Sequence, residues 1–190
     1  VEGKTVLVAG GAGSVGRFAV QFAAWAGAHV IATVGSQAKV QIARDAGADE
    51  VFLYTDPDLA DKIQASAGAA PGGGVAHVVE VHFRNNIVLD AKVLLPNGSV
   101  SLYGSSDDPQ EQPVVPMRDL LRKGINLRWV MVYALAPKPR SAALRDIERA
   151  IIEGGITPLV ANRYGLDDLA QAMAQVGVAG TGGKVLIDID

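Results

Sequence analysis

The chain has 190 residues, 49% of them hydrophobic and 19% charged, with a formal net charge of −3. That is enough apolar material for one globular domain, or a domain plus a short extra lobe, and too little net charge for a disordered chain. The acidic balance lacks the basic footprint of a protein that wraps nucleic acid. Cysteine is absent, which removes disulfides, thiolate zinc ligands and a cysteine nucleophile.

The chain opens Val-Glu-Gly-Lys, with no initiator Met and no signal-peptide pattern. A strand beginning at Thr5 implies a piece of a longer protein, and a cytoplasmic location is expected. Residues 5–9 are a continuous apolar run, the pattern of a strand buried on both faces. A glycine-rich loop follows, then a helix over 14–26 and a second strand over 29–34. The apolar stretch 18–34 is thus read as helix, turn and strand, broken at Gly27, rather than as a membrane span. A second helix spans 37–46, a third strand 50–54, and Asp56-Pro57 opens a helix to about Ala67. The loop 71–74 precedes a fourth strand over 75–81. A helix over 87–95 closes at Pro96-Asn97-Gly98, and strands follow over 99–103 and 125–133. The polar segment 107–116 contains Pro109, Pro113 and Pro116 and reads as a loop over the sheet edge.

Beyond Lys138 a charged helix spans 141–153. A candidate strand covers 156–164, a helix 167–176 and a terminal strand 184–189. Strand and helix alternate throughout with short connections, which predicts an α/β fold with a doubly wound, six-stranded parallel sheet of the Rossmann type. The expected division is 1–154 for the dinucleotide-binding domain and 155–190 for a C-terminal segment that completes the fold or joins a partner lobe.

The sharpest motif is Gly11-Ala12-Gly13-Ser14-Val15-Gly16, a G-x-G-x-x-G placed after a buried strand and at the start of a helix. Gly11 serves the tight turn, Gly13 the approach of backbone to a pyrophosphate, and Gly16 the close packing of helix on sheet. Free helix amides then meet the phosphate charge. An unliganded glycine turn is the alternative, and the register of strand, loop, helix and second strand favours the ligand. NAD sites usually place an acid about twenty residues past the glycines. This chain offers Val34-Gly35-Ser36-Gln37-Ala38-Lys39 instead. Ser36 can donate to a 2′-phosphate and Lys39 can neutralise it, which favours NADP(H); alone, Lys39 is equally read as a solvated helix residue. Tyr54 either stacks on adenine or reaches that phosphate, or else caps the core at a strand end.

The segment from Val6 to Gly16, with Ala19-Val20-Gln21-Phe22-Ala23, resembles the medium-chain dehydrogenase/reductase superfamily, and within it the zinc-independent quinone oxidoreductases related to zeta-crystallin. Gly35-Ser36 with Lys39, the run 46–51, the stretch from Gly98 to Gly104-Ser105, and Gly183-Lys184-Val185-Leu186 carry the same resemblance, which covers nearly the whole chain. It implies pyrophosphate contacts from Gly13, Ser14, Val15 and Gly16, and a 2′-phosphate pocket of Ser36, Lys39 and Tyr54. Gly104 and Ser105 are implied near the nicotinamide ribose, and Val130, Val132 and Tyr133 near the nicotinamide. The implied reaction is metal-free hydride transfer from NADPH to a quinone or an α,β-unsaturated carbonyl. A GroES-like catalytic domain is implied ahead of this chain, with the last strands returning to it, and so is a homodimer joined through strand six. The alternative for that edge is a cover by the 107–116 loop.

The turn after strand four, His82-Phe83-Arg84-Asn85-Asn86, departs from the small residues common in relatives. His82, Phe83 and Arg84 are candidates there for cofactor contact, His82 being equally a loop histidine bonded to a carbonyl. His29 and His77 are read as satisfied strand residues. No tyrosine is followed by lysine four positions later, and neither a G-x-S-x-G elbow nor a phosphate-binding G-x-x-x-x-G-K-[ST] loop is present. No residue is assigned as catalytic and no metal ligand set is expected. A non-catalytic dinucleotide-binding or sensing module on the same fold is the alternative function.

Overall fold

The run Thr5–Val8 forms β1, buried at all four positions. In the computed structural model, which describes residues 1–70, 72–104, 112–176, 178 and 183–189, β1 lies inside a six-stranded parallel sheet. The other strands are β2 (His29–Val34), β3 (Glu50–Leu53), β4 (Val75–Glu80), β5 (Leu94–Leu102) and β6 (Asn126–Trp129), in the order β3-β2-β1-β4-β5-β6. Every pairing in it is parallel. The order reverses between β1 and β4, the place where open α/β sheets form a ligand crevice at their carboxyl ends.

Alternation along the strands decides which helix covers which side. Val6, Val8, Val30, Ala32 and Val34 pack with Val20 and Ala23 of α1 (Ser14–Trp25) and with Ala43 of α2 (Val40–Asp45). Leu7, Ile31, Val78 and Val100 pack instead with Leu59, Ile63 and Ala67 of α3 (Leu59–Ala69) and Val93 of α4 (Phe83–Val93). Each buried Val, Leu or Ile among them contributes about 1.5–3 kcal/mol, so these two clusters hold the sheet between its helices.

The expected Rossmann sheet is present, with local differences. The fourth helix begins at Phe83, four residues earlier than expected. The Glu80 carboxylate accepts the His82 N–H and fixes the turn into the helix. Asp56 does not cap the third helix directly: its carboxylate accepts the Asp58 N–H in a turn ahead of Leu59. β5 extends back through Pro96-Asn97-Gly98, where Asn97 takes a left-handed φ of 61° and the register with β4 shifts. A helix α5 (Met117–Lys123), unassigned from sequence, buries Leu120 and stops at Gly124 with φ 61°. The sixth strand ends at Trp129, so Val130, Val132 and Tyr133 follow it in extended chain and a single 3-10 turn.

After α6 (Pro137–Ile152) the chain forms β7 (Val160–Gly165), α7 (Leu169–Val176) and β8 (Lys184–Asp188). β7 and β8 pair in parallel as a separate two-stranded sheet. Side chains of α1 tie this part down. Arg149 lies over the Trp25 ring at 4.7 Å, and Trp25 Nε1 donates to Glu153 at 2.7 Å. The Thr157 N–H donates to Gln21 Oε1 at 2.7 Å, while Arg17 donates to the Thr157 carbonyl. No helix among the described residues is long and apolar enough to cross a membrane.

Candidate functional site

The glycine loop joins β1 to α1 at the carboxyl edge of the sheet. The positive φ that makes its turn belongs to Gly10, at 67°, one residue ahead of the six-residue motif. Sequence reasoning assigned the turn to Gly11; the doubled Gly10-Gly11 was the available signal. Gly11 is needed for proximity instead, since a Cβ there would stand 2.7 Å from the Ala32 Cβ. At Gly16 a Cβ would stand 2.1 Å from the Gly10 carbonyl oxygen, so only glycine lets α1 start this close to the loop.

Gly13 is the N-cap residue of α1, and no side chain caps the helix or places an acid in its first turn. Ser14 and Val15 are exposed there. The helix therefore presents unneutralised amides and the positive end of its dipole to the crevice, an arrangement suited to a phosphate.

At the end of β2, Ser36 and Lys39 flank one short 3-10 turn, with Lys39 N–H donating to the Ser36 carbonyl at 3.0 Å. No carboxylate lies between Val34 and Lys39. Lys39 enters no ion pair among the described residues. Tyr54 is 61% exposed, and its ring lies against Gly35, where a Cβ would approach Cε1 to 2.9 Å. The ring thus stands at the rim beside Ser36 rather than over the core.

Three loop ends converge where β1, β4 and β5 finish. Tyr103 N–H donates to the Glu80 carbonyl at 3.1 Å, and a Cβ on Gly104 would stand 2.3 Å from the Val81 oxygen. Gly104 is thereby held against the β4 turn, and Gly10 packs on the same Val81. Ser105, residues 107–111 of the expected loop, and Pro71 lie outside the described residues. His82 and Arg84 are exposed in the turn after β4. Phe83 differs: its ring packs edge-on against Trp129 at 6.0 Å, between α4 and β6. Val130, Val132 and Tyr133 stand past the end of β6, with Val130 N–H donating to Leu102 and Tyr133 97% exposed. His77 is half-buried in β4, its Nδ1 2.7 Å from Ser99 Oγ, and burial pushes its pKa down. His29 meets Asp49 at 3.3 Å.

Sequence reasoning missed two acids. Glu80, at the end of β4, and Asp90, on α4, are each 1% exposed. Burial pushes both pKa values up, and the charge of Glu80 adds to the rise at Asp90, which reaches about 8. Glu80 regains part of that cost by accepting from His82 N–H and, at 3.0 and 3.1 Å, from Asn86 Nδ2. Nothing in the local pattern marked these positions, because their burial comes from α3 and the sheet closing over α4. Among the described residues, no group of three or more His, Asp or Glu gathers as a metal site.

A family model described as zinc-binding dehydrogenase matches residues 14–149. Quinone oxidoreductase from Rattus norvegicus is 28% identical over 186 residues, which is 97% of this chain and 54% of that protein. The human quinone oxidoreductase is 26% identical over 187 residues, 97% of this chain and 55% of that protein. The chain thus spans about half the length of the curated relatives it matches. A solved mycobacterial quinone oxidoreductase superposes with a TM-score of 0.83 at 28% identity, covering 97% of this chain and 56% of that one. A mycobacterial structure complexed with NADPH superposes at 0.78, also 28% identical, covering 98% of this chain and 57% of that one.

Proposed function

Because the chain belongs to the zinc-binding dehydrogenase family, among the medium-chain dehydrogenase/reductases, we propose that it is the NADP(H)-binding part of an oxidoreductase that delivers hydride to a quinone or an α,β-unsaturated carbonyl. The observation that carries NADP(H) over NAD(H) is the acid-free end of β2, where Ser36 stands with Lys39, which enters no ion pair among the described residues.

In this reading the α1 amides, with Gly13, Ser14, Val15 and Gly16, receive the pyrophosphate. Ser36, Lys39 and Tyr54 surround the 2′-phosphate, and Arg84 contacts a ribose or a phosphate of the cofactor. Gly104 approaches the nicotinamide ribose, and Val130, Val132 and Tyr133 border the nicotinamide. Bound NADPH supplies the hydride. The residues of this chain orient the cofactor and keep water from it, which is most of what hydride transfer asks of a protein.

Residues 1–154 form the cofactor domain in this proposal, and 155–190 belong with a second lobe that completes the substrate cleft. The separate β7–β8 sheet and the exposed Leu169, Met173 and Val176 of α7 support that division. The position of β6 at the edge of the sheet, unpaired on its outer side among the described residues, with Trp129, Met131 and Tyr133 exposed, supports a homodimer joined strand to strand. The family description names zinc, but the described residues offer no converging donor set and the chain has no cysteine, so no step is routed through a metal.

The test is a parallel fluorescence titration with NADPH and NADH, repeated on Lys39→Ala. A charge-assisted hydrogen bond to phosphate is worth about 1.5–3 kcal/mol, so the variant should lose roughly 10- to 100-fold in NADPH affinity and little for NADH. Equal binding of both dinucleotides, unchanged by the substitution, refutes the phosphate pocket.

A further inference from the structure

Residues 153–157 connect α6 towards β7, and their Gly154-Gly155 pair has the composition of a flexible link. The fold commits both glycines to other tasks. Gly154 takes φ 75° and its N–H donates to the Ile151 carbonyl at 3.1 Å, while the Gly155 N–H donates to the Ala150 carbonyl at 2.8 Å. That is the left-handed stop of α6, with its last carbonyls satisfied. Gly155 then lies against the Trp25 ring, where a Cβ would stand 2.4 Å from Cδ1.

Arg17, Gln21 and Trp25 recur every four residues and so share one face of α1. Trp25 Nε1 holds Glu153 at 2.7 Å. Gln21 is buried; its Oε1 accepts the Thr157 N–H at 2.7 Å, and its Nε2 donates to the Arg17 carbonyl at 3.4 Å. Arg17 closes the ring of bonds by donating to the Thr157 carbonyl. Both backbone polar groups of Thr157 are thus held by α1, which fixes the peptide planes on either side of it. Pro158 has no N–H, and its ring locks its φ. The Leu159 carbonyl accepts the Lys184 N–H at 2.7 Å, so Leu159 already belongs with the β7–β8 sheet. What remains free between them is ψ of Pro158 and φ of Leu159.

We propose that residues 153–157 ride on α1 as a fixed joint, clasped by the positioning residues Arg17, Gln21 and Trp25, and that the β7–β8 sheet swings about ψ of Pro158 and φ of Leu159. This rests on the separate C-terminal lobe given above and moves its pivot from residue 154 to Pro158. Leu159, Gly183 and Lys184 stand across a narrow gap from Gly13, Ser14 and Phe18. The swing therefore sets how far the start of α1 is covered, and the clasp sets the position from which it swings.

The experiment is NMR of the 190-residue chain, reading amide exchange and residual dipolar couplings. In the wild type the Thr157 N–H should exchange roughly 100-fold or more below its unprotected rate. Couplings from 153–157 should fit the alignment of α1, and those from β7 and β8 should be scaled down by the swing. Gln21→Leu removes the acceptor at similar volume. It should speed Thr157 exchange by roughly tenfold or more and detach 153–157 from the α1 alignment, with the couplings of β1 and β4 unchanged. A Gln21 that only stabilises α1 would lower the melting temperature without moving those couplings. Should that variant fail to fold, Arg17→Met and the wild-type values decide. An unprotected Thr157 in the wild type, or couplings of 153–157 that follow β7, overturns the clasp and leaves the two lobes standing. One undiminished alignment shared by α1, β7 and β8 overturns the pivot and the separate lobe together.

Discussion

Replacing Asp90 by Asn should stabilise the chain at neutral pH, and increasingly so as pH rises. Asp90 titrates at about 8 in the native state, against an ordinary value of 3.8, because burial and then the Glu80 charge oppose its ionisation. Between those values the unfolded chain has released the proton and the native chain still holds it. Unfolding therefore releases a proton, and rising pH favours the unfolded state by about 1.4 kcal/mol per pH unit. The loss begins near the unfolded pKa and levels off above pH 8, where the native carboxyl ionises too. Asn carries no titrating group. The stability difference between variant and wild type should accordingly grow by roughly 2–3 kcal/mol from pH 6 to pH 8, then flatten. Glu80 acts on Asp90, and His82 and Tyr103 interact with Glu80; all three are present in both proteins, and Tyr103, pushed up to about 12, stays protonated throughout. Urea denaturation of both proteins at pH 6, 7, 8 and 9 reads the difference directly. A difference that stays constant across that window refutes a neutral, buried Asp90.

Three further outcomes follow from particular contacts. Glu80→Gln removes the charge that helps hold the Asp90 proton, so the pH at which the Asp90 carboxyl titrates, followed by NMR, should fall; an unchanged midpoint would leave desolvation as the sole cause. Gly16→Ala drives a Cβ onto the Gly10 carbonyl, and it should abolish binding of NADPH and NADH together, at a stability cost of about 1–3 kcal/mol read by thermal melting. Retained binding would mean that the loop relaxes freely. In β6 the Val130 N–H turns inward to Leu102, so alternation turns the Trp129 N–H to the free edge. Trp129→Pro should then convert the proposed dimer to a folded monomer in sedimentation experiments, and a dimer that persists would place the interface elsewhere.

Much of this molecule was determined locally. Short β-branched apolar runs such as Thr5–Val8 read as strands covered on both faces, and a G-x-G-x-x-G between such a strand and a helix reads as a dinucleotide-binding loop. The missing acid after β2 was also legible, because it is a matter of residue identity at a fixed spacing. Where the physics was not local, sequence was silent or misplaced the feature. The seven-residue α5 has too short a period to announce itself and exists because Leu120 finds the cluster around Ile87 and Ala91. The early start of α4 depends on a carboxylate from the preceding strand reaching the His82 N–H. Phe83, a candidate for the cofactor side, instead meets Trp129, a neighbour forty-six positions away that only sheet formation brings near. The buried acid on α4 is the strongest case. Asp90 on a helix reads as a solvated charge, and only the closing of α3 and the sheet over it removes water and leaves its carboxyl unpaired. Residue type and spacing determine what a segment can do; desolvation and the partners that tertiary packing supplies decide what its charged groups become.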